Sequence, residues 1–193
     1  MLSGSQAHGT PALFLDRDGV INRDSGHVFR IADFSWLPGV FDTVRAAKAL
    51  GLAVIVVTNQ AGIAKGLYSE ADFHRLTEWM KHQFVAADAA LTDVYFCPDH
   101  PDVVSAAATI SCRKPSPGML LRAAQDHGLD LSRSVLIGDQ ESDIEAGRAA
   151  GLGATALFAP DGQQSTRADA ILTSHADASA WLKLTLSGQW TRA

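Results

Sequence analysis

The sequence predicts an α/β protein, a three-layer Rossmann-like sandwich built on a mainly parallel sheet. Three observations predict it. Short apolar runs alternate with segments of helical period along nearly the whole chain. The runs at 12–15 and 52–57 are apolar without interruption, as strands buried on both faces of a parallel sheet are. Three of the runs stop at polar clusters, and in such sheets ligands bind at the carboxyl ends of the strands.

The elements follow in order. Residues 1–10 are small and polar and are predicted as a flexible N-terminal tail, leaving 11–193 as a single domain. Ala12-Leu13-Phe14-Leu15 is a buried strand ending at Asp16. From Gly39 to Leu50, Val40, Val44 and Ala47 share one helical face, and Gly51 ends the helix. Leu52 to Val57 is a strand stopped by Thr58-Asn59-Gln60. Ser69 is an N-cap, and Phe73, Leu76, Met80 and Phe84 then mark the apolar face of a long helix. Val94-Tyr95-Phe96 is the third strand. Ser116 followed by Pro117 reads as an N-cap with proline at the first helical position, and Gly128 closes that helix. Ser134 to Ile137 is a strand stopping at Gly138-Asp139. A short helix runs through Ile144 and Ala149 to Gly151, Ala154 to Ala159 is a strand, and a last helix spans 176–186 with Trp181 and Leu182.

Composition narrows the function. The chain has 193 residues, 47% of them hydrophobic, which is enough for one real core and argues against disorder. A formal charge of −5 leaves no basic excess to grip a nucleic acid. Two cysteines exclude a disulfide scaffold. No basic n-region precedes an apolar stretch at the start, and no run reaches the ~20 residues of a membrane span. A cytoplasmic monomer without nucleic-acid or membrane partners is expected.

The polar clusters carry the chemistry. The first strand ends in Asp16-Arg17-Asp18-Gly19, the second in Thr58-Asn59-Gln60, and the fourth in Gly138-Asp139 with Asp143 four residues on. Arg113-Lys114-Pro115 sits just before a helix. Taken singly, an Asp after a strand is often a turn residue, and a lysine is usually on the surface. Together, the fold brings four carboxylates, a hydroxyl and a lysine to one edge. Clustered carboxylates must share a proton or a cation, and all-oxygen ligands suit Mg²⁺. Such a site beside a lysine suits a phosphoryl group, with a carboxylate as attacking group. No G-x-x-x-x-G-K-[ST] is present. Gly151-Leu152-Gly153 precedes a strand and is no dinucleotide fingerprint. A receiver domain is expected to carry its phosphoacceptor on the third strand, which here runs into Cys97-Pro98.

These four motifs, in this order over residues 12–143, resemble the haloacid dehalogenase superfamily of aspartyl phosphatases. Asp16-Arg17-Asp18-Gly19-Val20-Ile21-Asn22, Val57-Thr58-Asn59-Gln60-Ala61-Gly62-Ile63-Ala64 and Cys112-Arg113-Lys114-Pro115-Ser116-Pro117-Gly118-Met119 are similar within it to the heptose bisphosphate phosphatase family. Histidinol-phosphatase domains are the nearest relatives. The resemblance implies Asp16 as nucleophile and Asp18 as general acid and base. It implies Mg²⁺ held by Asp16, the Asp18 backbone carbonyl and Asp139, with Asp143 orienting them from behind. Thr58 and Lys114 would hold the phosphoryl oxygens. Asp24-Ser25-Gly26-His27 matches the family's substrate loop, and Asn59, Gln60, Arg113 and Gln140 complete the implied substrate contacts.

Three further expectations follow. Only about 20 residues separate Asp18 from the first helix, and Cys97 and Arg113 are 16 positions apart, so neither gap holds the cap domain common in the superfamily. Heptose phosphatases usually carry a structural zinc on Cys-x-His and Cys-x-Cys. Here only Cys97 and Cys112 match, with Asp99 or His100 as substitutes, while Ile110 cannot serve. No stoichiometric zinc is therefore expected, with both cysteines free thiols in reducing buffer and the loop packed through Val103, Val104 and Ile110. Gln140 stands where the family usually has lysine. The leading reading is a Mg²⁺-dependent sugar bisphosphate phosphatase. The alternatives are a histidinol-phosphate or other small phosphomonoesterase, and an inactive phosphosugar-binding protein.

Overall fold

The computed structural model describes residues 9–100, 112–162 and 165–187. Six strands form one sheet: β1 (Ala12–Leu15), β2 (Ala53–Asn59), β3 (Asp93–Cys97), β4 (Val135–Gly138), β5 (Ala154–Phe158) and β6 (Ala170–Leu172). Their spatial order is β3-β2-β1-β4-β5-β6, and every pairing is parallel. From β1 the chain moves outward to β2 and β3, then returns to β4 on the other flank of β1. The order thus reverses at the β1/β4 boundary, where a parallel sheet opens a crevice beyond its strand ends.

The helices are α1 (Val40–Ala49), a one-turn α2 (Ala61–Ala64), α3 (Glu70–Ala86), α4 (Gly118–His127), α5 (Glu141–Ala149) and α6 (His175–Leu186). Side-chain alternation sorts them into two layers. Leu13, Leu15, Val54, Val56, Val135 and Ile137 face α1, α3 and α6 through Val44, Met80, Phe84 and Leu182. Ala12, Phe14, Ile55, Val57 and Leu136 face α4 and α5 through Leu120, Ala123 and Ile144. The sheet is buried on both sides, which is why its strands read as unbroken apolar runs.

Two local details differ from expectation. Ser116 is not the cap of α4: the helix begins at Gly118 with Pro117 in the capping position. The edge strand β6 and the one-turn α2 have no counterpart in the sequence pattern, because three and four residues are too short to show a period. Ser69 caps α3 as expected, its hydroxyl accepting from the Asp72 amide at 3.2 Å while Asp72 Oδ2 accepts from the Ser69 amide at 3.0 Å. Among the described residues no helix is long and apolar enough to cross a membrane.

Candidate active site

Register sets the site. Leu15 pairs with Val56 on one side and Ile137 on the other, so Asp16 lies one residue beyond that rung, and Thr58 and Asp139 lie two beyond it. All three emerge at the same strand ends. Lys114 reaches them from the segment before α4. Its ammonium donates to Asp16 Oδ1 at 2.8 Å and to the Val57 carbonyl at 2.8 Å, and pairs with Asp143 Oδ1 at 2.6 Å. Asn59 holds that segment in place: its Oδ1 accepts from the Lys114 amide at 3.0 Å, and its Nδ2 donates to the Lys114 carbonyl at 3.1 Å.

Asp16, Asp139 and Asp143 place carboxylate oxygens within 4.8 Å of one another, and Asp16 and Asp143 are buried. Burial pushes the Asp16 carboxyl up to about 8; Lys114 opposes that push, and Asp143 and Asp139 add to it. Asp139 is raised to about 6, again mainly by burial, with the Gln140 hydrogen bond opposing and Asp143 adding. The Lys114 ammonium is raised too: burial lowers it, but Asp16 and Asp143 outweigh burial. Bringing carboxylates together in a partly buried corner with one ammonium leaves them short of positive charge, a deficit that a cation can relieve. Asp139 Oδ1 is buried without a hydrogen-bond partner. A hard cation taking oxygen ligands fits this donor set.

Close packing gives the carboxylates their places. Gly19 has φ +84°, and a β-carbon there would meet Asp139 Oδ2 at 2.1 Å. Asp143 is the third residue of α5, and its Oδ2 accepts from the Gln140 amide at 3.0 Å, tying the helix start to the cluster.

Asp18, two residues from Asp16, is surrounded differently. Its Oδ1 accepts from Asn22 at 2.9 Å and from Arg17 at 3.0 Å; its Oδ2 accepts from Arg17 at 2.7 Å and from Gln60 at 3.2 Å. Arg17 is 1% exposed and also donates to the Val28 carbonyl at 2.7 Å.

These groups open on a cavity of about 430 Å³. Asp24, Gly26, His27, Asn59, Gln60, Arg113 and Gln140, all candidate substrate contacts, line it together with Thr58 and the four aspartates; Ser25 does not. In the 24–27 loop, Asp24 Oδ1 accepts from the Gly26 amide at 2.9 Å, and Gly26 and His27 both take positive φ. A non-glycine residue held there is uncommon and costs strain, as functional loops often do. Arg113 donates to the Asp99 carbonyl at 3.4 Å. Lys65 and Tyr68 also line the cavity. Neither was singled out from the sequence: Lys65 follows directly on Gly62-Ile63-Ala64, and nothing about its spacing marks it. Arg17 and Asn22 lie inside the first motif, whose spacing says nothing of their contacts. A second cavity, of about 380 Å³, opens around Pro11, Ser132 and Val135 at the opposite end of the sheet and has no carboxylate lining it.

The cysteine expectation is corrected. Cys97 and Cys112 are joined as a disulfide rather than standing as free thiols. The end of β3 and the approach to Lys114 bring their Cα atoms to 5.4 Å, within bonding range. Asp99 Oδ2 lies 3.5 Å from Cys112 Sγ, so three of the four zinc candidates meet, and His100 is not in that group. The expected packing of Val103, Val104 and Ile110 lies outside the described residues.

The HAD-hydrolase-like family profile matches residues 111–177. A D-glycero-alpha-D-manno-heptose-1,7-bisphosphate 7-phosphatase of Burkholderia mallei is 56% identical over 149 residues, covering 76% of this chain and 79% of its own length. A D-glycero-beta-D-manno-heptose-1,7-bisphosphate 7-phosphatase of Escherichia coli K12 is 42% identical, covering 89% of this chain and 93% of its own. Among solved structures, the D,D-heptose 1,7-bisphosphate phosphatase of B. bronchiseptica, complexed with magnesium and phosphate, superposes with TM-score 0.76 at 26% identity over 90% of this chain and 98% of its own.

Proposed function

The chain belongs to the D-glycero-D-manno-heptose-1,7-bisphosphate 7-phosphatase family of haloacid dehalogenase-like hydrolases and is a phosphoric monoester hydrolase, and on that premise we propose that it removes the 7-phosphate of D-glycero-D-manno-heptose 1,7-bisphosphate. The observation that carries the mechanism is the Asp16–Asp139–Asp143 group, with Asp16 and Asp143 buried and paired to the Lys114 ammonium, at the point where the strand order reverses.

Asp16 is the nucleophile. Its oxygen attacks phosphorus, the bond from phosphorus to the sugar oxygen breaks, and the departing oxygen takes its electron pair and a proton from Asp18. Water then attacks phosphorus of the aspartyl-phosphate and gives its proton to Asp18, releasing inorganic phosphate and restoring Asp16. Mg²⁺ would be held by Asp16, Asp139 and the Asp18 backbone carbonyl, and when bound it supplies charge neutralisation at the phosphoryl oxygens. Lys114 and the Thr58 hydroxyl hold those oxygens, a preorganised electrostatic contribution. Asp143 holds Lys114 and the start of α5. The 24–27 loop, Arg113 and Gln140 border the space for the rest of the sugar, and Arg113 reads the second phosphate through its guanidinium fork.

The reading extends to a domain without a cap, acting as a cytoplasmic monomer in nucleotide-activated heptose synthesis for lipopolysaccharide, capsule or S-layer glycan. A phosphate-release assay tests it. The panel is both anomers of heptose 1,7-bisphosphate, a heptose monophosphate and histidinol phosphate, each with and without Mg²⁺. Magnesium-dependent release fastest from one of the bisphosphates is expected. Faster release from histidinol phosphate overturns the substrate assignment, and release from none overturns the enzymatic one.

A further inference from the structure

Tyr68 lies in the turn between α2 and α3 and is 7% exposed. Its hydroxyl donates to Gln60 Oε1 at 2.5 Å. Gln60, itself 2% exposed, spends its amide group on two acceptors: Nε2 donates to Thr58 Oγ1 at 2.8 Å and to Asp18 Oδ2 at 3.2 Å. An amide has two N–H donors and one carbonyl oxygen, so these three contacts fix which way it points. Were it turned over, its carbonyl would face the Asp18 carboxylate, acceptor against acceptor. The hydroxyl of Tyr68 is what makes the observed orientation the satisfied one. Burial raises that hydroxyl to about 12, so it keeps its proton across the working range.

The ring that carries the hydroxyl is clamped. Phe29 stacks on it with centroids 4.9 Å apart and planes 9° from parallel, and the Arg30 guanidinium lies 4.9 Å over Phe29. Gly62 lets it in: a β-carbon there would meet Tyr68 Cε1 at 2.1 Å.

We propose that Tyr68 and Gln60 are positioning residues for proton transfer: the Tyr68 hydroxyl sets the Gln60 amide, and that amide fixes the Asp18 carboxyl group and leaves the Thr58 hydroxyl proton free for a phosphoryl oxygen. The inference rests on the reading of Asp18 as acid and base. Because Thr58 Oγ1 accepts from Gln60, its own proton has no call on that bond and remains available to donate. One amide thus prepares two groups that meet the substrate, and the loop that borders the sugar site reaches it through Phe29.

The test exploits the leaving group. A sugar alkoxide needs a proton as it departs, whereas p-nitrophenolate does not. kcat/KM reports steps up to the first irreversible one, here departure of the leaving group. The readout is the ratio of kcat/KM for heptose bisphosphate to that for p-nitrophenyl phosphate, with melting temperatures measured alongside. Tyr68→Phe keeps the ring and removes only the hydroxyl; Gln60→Met keeps the volume and removes the amide. Each is expected to lower the ratio at least fivefold, Gln60→Met more than Tyr68→Phe. Asp18→Asn should lower it further, about a hundredfold. If Asp18→Asn lowers the ratio and the other two variants lose both substrates in equal proportion, Tyr68 and Gln60 are merely structural and the proposal falls. If Asp18→Asn itself leaves the ratio unchanged, the acid role of Asp18 falls first, and the relay with it.

Discussion

Asp16 and Asp18 stand two residues apart in one turn, yet their surroundings are opposite. Asp18 is met by donors on both oxygens, from Arg17, Asn22 and Gln60, and its side chain is 21% exposed. Asp16 shares its buried corner with two more carboxylates and receives one ammonium, Lys114. The Asp18 side is complete as it stands. On the Asp16 side burial raises the carboxyl groups, the neighbouring carboxylates add to the push, and Lys114 opposes it. A corner short of donors suits a cation, whereas donors on both oxygens hold a carboxyl group in one orientation. The strand end decides which is which, because Asp16 still follows the β1 line toward Asp139 and Asp18 has already turned toward α2.

The largest expected break in this contrast is Asp16→Asn. It preserves shape and removes the attacking oxygen, so turnover should fall by about 10⁴-fold, roughly 5 kcal/mol, while circular dichroism stays unchanged. Substantial turnover in the purified variant would remove Asp16 from the mechanism. Lys114→Met comes next. Removing the Lys114 ammonium leaves Asp16 and Asp143 buried without their ion-pair partner, and breaking a buried pair in this way costs about 3–5 kcal/mol. Urea unfolding should show that loss, and activity should fall on bisphosphates and monophosphates alike. An unchanged urea midpoint would mean the cluster does not depend on Lys114 for its charge balance.

Adding Mg²⁺ should offset the same deficit. At a hundredfold excess over its dissociation constant, a ligand specific for the folded state contributes about 2.7 kcal/mol, which in a chain of this size raises the melting temperature by roughly 5–10 °C. Asp139→Asn should abolish the rise, and Asn22→Ala, on the Asp18 side, should keep it. A rise that survives Asp139→Asn would place the cation elsewhere.

The two sides were unequally legible in the sequence. Asp16, Thr58, Lys114, Asp139 and Asp143 could be read together because each follows a strand or opens a helix, and register in a parallel sheet turns those places into neighbours. The donors around Asp18 could not. Tyr68 lies eight residues from Gln60, beyond a one-turn helix with no period to read, and Arg17 looks in sequence like a charged loop residue although it is buried. Asn59 lines the cavity, and the engagement of its amide with the Lys114 backbone is not legible from its spacing. The disulfide also lay beyond reach, since two cysteines 15 residues apart carry no information about the path between them.

A smaller effect sharpens the contrast at the cavity rim. Arg113 is half-buried beside Lys114 and lines the cavity, and its proposed partner is the phosphate that is not transferred. Arg113→Ala should lower kcat/KM for the bisphosphate about tenfold relative to a monophosphate, about 1.4 kcal/mol. Equal losses on both would favour a simple phosphomonoesterase.

The smallest prediction concerns what anchors the Asp18 turn from behind. His175, at the start of α6, is 1% exposed; its Nε2 donates to the Val20 carbonyl at 2.8 Å, and its Nδ1 lies 3.0 Å from Thr43 Oγ1. Phe158 packs against the ring, and no carboxylate touches it. Burial lowers the imidazole below its usual 6.5, outweighing the Val20 hydrogen bond and Asp42, which favour the charged form. The unfolded chain therefore takes up a proton at this residue before the folded one does. The stability it contributes is fully present above about pH 6.5 and is lost as pH falls below that value. Between pH 6.5 and 5.5 the loss is at most about 1 kcal/mol. His175→Gln keeps a donor for Val20 and cannot titrate, so the difference in unfolding free energy between wild type and variant should shrink by that amount on acidification. A constant difference across that window would show that His175 holds the turn without sensing pH, leaving the Asp18 side anchored by contacts that do not titrate.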